Sequence, residues 1–144
     1  MIQRLQSIFL LLSALFFGSH FFTGFASTSE SVQGLFSDLS YNIFDNPILI
    51  GLVAIGALLS LISIFLYNNR KVQLKLTYIT VTIAILMPVV AVLIFYNQMT
   101  GLETTAINDD LGLYTPIGSV IFGILAGRYI KKDQKLVSSM DRLR

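Results

Sequence analysis

The side chains able to do chemistry in this 144-residue chain are few and scattered. It has one histidine, His20, and no cysteine. The missing thiols exclude a disulfide, a thiolate zinc site, an iron–sulfur cluster and a thiol nucleophile. His20 falls near the outer end of the first apolar run. An ionisable group at such a place is a functional candidate by default, but a proton relay needs partners and no apolar run carries an acid. His20 therefore reads as an interfacial hydrogen-bonding residue. Glu103, Asp109 and Asp110 bring carboxylates together without the alternating oxygen-ligand spacing of a calcium loop, so a solvated acidic loop is expected. No Gly-rich phosphate loop, Ser/His/Asp grouping or zinc-binding histidine pair occurs. The expectation is a protein that is not an enzyme and carries no cofactor or metal.

The ten basic residues are the one chemically coherent set: Arg4, Arg70, Lys71, Lys75, Arg128, Lys131, Lys132, Lys135, Arg142 and Arg144. Near a membrane each Lys or Arg attracts anionic headgroups by about 1 kcal/mol. The same face could dock a membrane-protein partner. Nucleic acid is not expected, because the basic tail is short and lacks the patterned or aromatic-rich surface such binding uses.

These groups need elements to hold them, and the composition says which. The chain is 54% hydrophobic and 12% charged, with a mean hydropathy of +0.74. Soluble domains average roughly 25% charged residues. Apolar runs occupy about 8–25, 48–67, 76–96 and 114–130. A helix of about 20 residues crosses a ~30 Å hydrocarbon core. The fold class expected is an all-α membrane protein, a four-transmembrane-helix bundle in a single domain. The first run has a rival reading as a cleaved signal, with Arg4 as its basic region and Gly24-Phe25-Ala26 as its cleavage site. Its length exceeds the ~7–15 apolar residues usual in a signal, so a retained anchor is expected.

Between the runs lie outer loops at 26–47 and 97–113, a turn at 68–75 and a tail at 131–144. The first loop holds Leu35, Phe36, Leu39, Tyr41, Ile43 and Phe44, too many apolar groups for a linker. It predicts a small structured cap, a hairpin or a short helix. Asp45-Asn46-Pro47 predicts a helix start. Pro88 predicts a kink in the third helix, and Thr77, Thr80 and Thr82 can return their hydroxyls to carbonyls one turn earlier. In the tail, Leu136, Met140 and Leu143 recur at helical spacing, which fits an amphipathic helix on the membrane surface.

Charge assigns the sides. With four crossings all ten cations share one face, and Glu30, Asp38, Asp45, Glu103, Asp109 and Asp110 share the other. Cations in short loops stay cytoplasmic, so both termini are expected inside an inner (cytoplasmic) membrane. Tyr67 and Tyr129 at the inner ends and Tyr96 and Tyr114 at the outer ends fit interfacial belts. Ser119, Gly123 and Gly127 recur every fourth residue and let another backbone approach one face of the fourth helix. That strip serves either packing within the bundle or docking of a separate subunit; Ala14 with Gly18, and Gly56 with Ser60, form shorter strips.

Three stretches also resemble a known family. They are the opening Met1-Ile2-Gln3-Arg4-Leu5-Gln6-Ser7, the turn Tyr67-Asn68-Asn69-Arg70-Lys71-Val72-Gln73-Leu74, and the close from Ile130-Lys131-Lys132-Asp133 to Arg144. With Pro116 opening the fourth helix, they are similar to small four-helix membrane proteins of Bacteroidota catalogued as domain of unknown function (DUF) 4293. The resemblance implies an inner-membrane protein with no assigned activity and no defined catalytic residues. The expected role is a non-enzymatic accessory or structural subunit binding a larger membrane or envelope-biogenesis/translocation complex. The alternative is a small oligomeric channel or carrier, its pathway lined by Thr77, Thr80 and Thr82 beside Pro88.

Overall fold

Long apolar sequences uninterrupted by charge satisfy their backbone polar groups internally, and helices are the simplest way to do so. The computed structural model of the chain describes residues 2–29, 36, 38–98 and 107–141. Glu30, Leu35, Glu103, Arg142, Leu143 and Arg144 lie outside the described residues, as do the side chains of Arg4 and Met140. Four helices account for most of the described residues: α1 (Ile2–Ser19), α2 (Pro47–Phe65), α3 (Arg70–Gln98) and α4 (Thr115–Asp141). Each packs on two neighbours, in the closed ring α1–α2–α3–α4–α1, with successive helices running in opposite directions. α2, α3 and the segment Leu111–Ser139 are long and apolar enough to cross a membrane, while the apolar part of α1, Leu5–Ser19, is shorter.

Local chemistry sets the ends. The Asn46 side chain accepts the Ile48 N–H at 2.9 Å and Pro47 occupies the first turn, so α2 begins where the sequence predicts. α1 ends earlier than the expected 25. The Ser19 hydroxyl donates to the Phe16 carbonyl at 2.7 Å, the Thr23 hydroxyl to the Ser19 carbonyl at 3.1 Å, and three i→i−3 bonds then tighten the chain into a turn. α3 starts inside the basic stretch rather than at 76, because Asn69 caps it by accepting the Val72 N–H at 3.3 Å. It continues through Pro88 to Gln98. α4 is a single helix across 130, and residues 131–141 continue it.

The outer loops depart from the all-α expectation. Three short strands, β1 (Ala26–Thr28), β2 (Ser40–Tyr41) and β3 (Ile107–Asp109), form an antiparallel sheet in the order β2-β1-β3. Ala26 pairs with Tyr41 on one side and with Asp109 on the other, so both outer loops build one cap. Its apolar face covers the outer core, where Phe25, Phe36, Tyr41 and Ile43 pack with Leu49, Val53, Met87 and Ala91. The buried Tyr41 hydroxyl donates to the Ala91 carbonyl at 2.9 Å and ties the cap to α3. The Gly112 N–H donates to the Gly24 carbonyl at 2.8 Å. A Cβ on Gly112 would run into that carbonyl, so glycine is what permits the approach.

Candidate functional site

The opposite end of the bundle, where the basic residues gather, is built from polar groups placed in sequence on all four helices. The Ser60 hydroxyl on α2 donates to the Leu10 carbonyl on α1 at 2.8 Å. One turn further toward the inner end, the Gln73 amide on α3 donates to the Ser63 carbonyl at 2.9 Å. Gln6 precedes Leu10 by one turn on the same face of α1, which brings it to the level of Ser63. Gln6 and Gln73 are both fully buried. Neither amide atom of Gln6 has a hydrogen-bond partner among the described residues, and neither does Gln73 Oε1. Buried polar atoms are nearly always paired, so three orphans in one layer set this end apart.

Beyond that layer Arg70, the first residue of α3, meets Asp133 of α4, with Nε 2.8 Å from Oδ2. The two side chains are 21% and 12% exposed. The contact is an ion pair rather than a well-directed hydrogen bond, since neither atom meets the angular requirement for one. Around the pair Lys71, Lys75, Arg128, Lys131, Lys132 and Lys135 are exposed. Asp133 is thus the acid that anchors a field of cations. A cleft of about 290 Å³ opens between the turn at 66–69 and α4, with Asn68, Asn69, Arg70 and Lys71 on one side and Gln134, Val137 and Ser138 on the other. A second, of about 300 Å³, lies along α4 beside Arg128, Tyr129 and Lys132.

The other candidate residues take structural positions. Ser119 and Ser13 are both buried and bond reciprocally, hydroxyl to carbonyl, at 3.4 and 3.2 Å. A Cβ on Gly123 would stand 2.6 Å from the Val81 methyl, and one on Gly127 would stand 3.5 Å from the Tyr78 ring. The strip is therefore filled by α1 and α3 of the same chain and is not a free docking face. Thr77 and Thr80 are buried and donate to the Gln73 and Leu76 carbonyls at 2.8 and 3.0 Å. Thr82 faces outward and bonds the Tyr78 carbonyl at 3.0 Å. The three hydroxyls do not share a lumen within one chain.

At the outer end, His20 lies in the turn beyond α1. It is buried, and its Nε2 is 2.9 Å from the Thr115 hydroxyl. Burial lowers its pKa to about 4, which keeps the ring neutral. Its partner is a hydroxyl at the first residue of α4, so His20 ties α1 to α4. Asp110 caps the turn Leu111–Leu113 by accepting the Leu111 N–H at 2.8 Å, and Asp109 accepts the Tyr114 hydroxyl at 3.3 Å. An apolar cavity of about 170 Å³ sits between the cap and α3, beside Tyr41, Val92 and Phe95.

Sequence reasoning missed Gln6, Gln73 and Asp133. The available signals were two amides at the margins of apolar runs and one acid embedded among the four cations Arg128, Lys131, Lys132 and Lys135. In space these residues come from the three stretches that carry the family resemblance, which converge at the inner end. A sequence model described as Domain of unknown function (DUF4293) matches residues 2–143 of the chain. No curated protein and no solved structure matches it.

Proposed function

The chain belongs to the family described as Domain of unknown function (DUF4293), and from that premise, which assigns no activity, we propose that it is a non-enzymatic accessory subunit of an inner-membrane assembly. In this reading all four helices cross the membrane and both termini are cytoplasmic. α1, with 18 residues, is about 27 Å long and packs against α2 and α4, so its neighbours supply a span that its own apolar length leaves short. The asymmetric cations orient the bundle.

One observation carries the docking role. α4, at 27 residues about 40 Å long, outruns a ~30 Å hydrocarbon core and presents Lys131, Lys132, Lys135, Leu136 and Val137 exposed on its extension. A charged helix continued beyond the bilayer with apolar side chains still uncovered is built to meet another surface. The small-residue strip is filled within the chain, so the extension is the remaining contact. The channel reading has no comparable support, since the threonine hydroxyls it needs are satisfied within α3.

Affinity purification of the full chain from native membranes in mild detergent tests this. A partner co-elutes in fixed ratio, and Lys131→Glu/Lys135→Glu releases it while the variant stays in the membrane. Recovery of the chain alone would refute the reading. Ser139→Cys supplies the chain's one thiol, and its labelling from outside intact cells would overturn the orientation.

A further inference from the structure

The cleft between the turn at 66–69 and α4 is lined, apart from Val137, by side chains with hydrogen-bond donors from two elements far apart in sequence. Asn68, Asn69, Arg70 and Lys71 form one wall, and Gln134, Val137 and Ser138 form the other. None of these seven side chains is an acid. Arg70 engages Asp133 through Nε, and a guanidinium carries five N–H donors, so its terminal nitrogens can serve a second anion. Asn69 spends its side-chain oxygen on the Val72 N–H, which leaves its amide nitrogen as a donor. Ser138 donates to the Lys135 carbonyl at 3.0 Å within its own helix, so it offers an additional acceptor or a rotated donor.

Aromatic groups fix the depth of the cleft. Phe65 and Tyr67, at the end of α2 beside it, are 78% and 51% exposed. Exposed aromatic side chains at a helix end mark the headgroup level of a membrane. The cleft therefore opens where lipid phosphates and soluble phosphates are both within reach.

We propose that the Asn68–Lys71 turn and the Gln134/Ser138 face of α4 together bind a phosphate group, carried by an anionic phospholipid headgroup or by a free phosphate. Occupancy bridges the turn to the extension of α4 and fixes the angle at which that extension leaves the bundle. The site does not depend on the accessory-subunit reading: a chain without a protein partner would still bind phosphate here.

The test uses the purified full chain in mild detergent. Native mass spectrometry compares retention of phosphatidylglycerol with that of phosphatidylcholine, and thermal unfolding is followed with and without millimolar inorganic phosphate. Wild type retains one phosphatidylglycerol per chain in preference to phosphatidylcholine, or melts higher with phosphate; the first result identifies a lipid source and the second a free one. Asn68→Leu/Lys71→Gln weakens the effect about tenfold, the size expected for losing hydrogen bonds to a charged group. Gln134→Ala/Ser138→Ala, from the opposite wall, weakens it independently and guards against a folding defect in the first variant. Lys75→Gln removes an equal charge outside the cleft and leaves the effect intact. Equal retention of both lipids without a phosphate shift, or loss with Lys75→Gln as large as with the cleft variants, overturns the proposal.

Discussion

The Arg70–Asp133 pair is the strongest single statement about how α4 is held where it leaves the bundle, and a double-mutant cycle measures it. The variants are Arg70→Gln, Asp133→Asn and the two combined. Two unit charges about 4 Å apart attract by about 4 kcal/mol at an effective dielectric of about 20. Desolvation opposes this, and with exposures of 21% and 12% most of the hydration of both groups is already lost. The pair lies between an exposed bridge, which contributes about 0.2–1 kcal/mol, and a fully buried one, whose breaking costs about 3–5 kcal/mol. Each single substitution should therefore destabilise by about 2–3 kcal/mol, and the coupling energy should be about 1.5–2 kcal/mol. The chain has no tryptophan, so unfolding is followed by far-ultraviolet circular dichroism in detergent. A sheltered pair is screened less than an exposed one, so most of the coupling should survive added salt. A coupling below about 0.5 kcal/mol, or one abolished by salt, would show that the contact is an ordinary surface bridge and that α4 is held by packing alone.

Three further substitutions test the two ends separately. Gln6→Met removes two orphaned amide atoms from a fully buried position at similar volume, so it should stabilise the protein by about 1–3 kcal/mol in the same assay; destabilisation would mean that the amide has a partner. Gly112→Ala drives a Cβ into the Gly24 carbonyl and should cost about 1–3 kcal/mol, whereas Gly18→Ala meets nothing within 4 Å and should be neutral or stabilising by up to ~1 kcal/mol. Equal melting temperatures for the two alanine variants would show that the sheet cap does not depend on that glycine contact.

The helices are legible in the sequence because their signal is long: unbroken apolar runs, a cap at Asn46 followed by Pro47, and threonines spaced to bond their own backbone. The sheet is not legible. Its strands have two or three residues, too few to show alternation, and β1 pairs with β3 from a loop some 80 residues away. The sequence places Phe25 at the end of the first apolar run and Tyr41 in a small cap, and only the strand pairing shows that both turn inward. The spacing of Ser119, Gly123 and Gly127 revealed a face for close approach, yet nothing in one helix says whose backbone arrives; Ser13 and Val81 do. Asp133 was hidden for a related reason. Among the cations of α4 it looks like a solvated acid, and only the meeting of α3 with α4 makes it an anchor.

The two ends of the bundle are stabilised by different physics, and this separates scaffold from working surface. At the outer end, Tyr41 bonds Ala91, His20 faces Thr115, and Gly112 bonds Gly24 across a glycine-only approach. Phe25, Tyr41 and Phe95 pack over them with ring centres 5.2 and 6.2 Å apart along the chain of contacts. These groups are already satisfied, so an added ligand gains little there. The inner end keeps two amides incompletely paired, a guanidinium bound through one of its nitrogens, donor-lined clefts and a helix that continues past its neighbours. Free energy is still available at that end in the guanidinium nitrogens that Asp133 leaves unused and in the donors that line the clefts, whereas the two buried amides lie out of reach of an added group. A phosphate or a protein surface that supplies the missing contacts lowers the free energy. Binding is therefore expected at the basic end, with the sheet cap holding the opposite end of every helix fixed while it occurs.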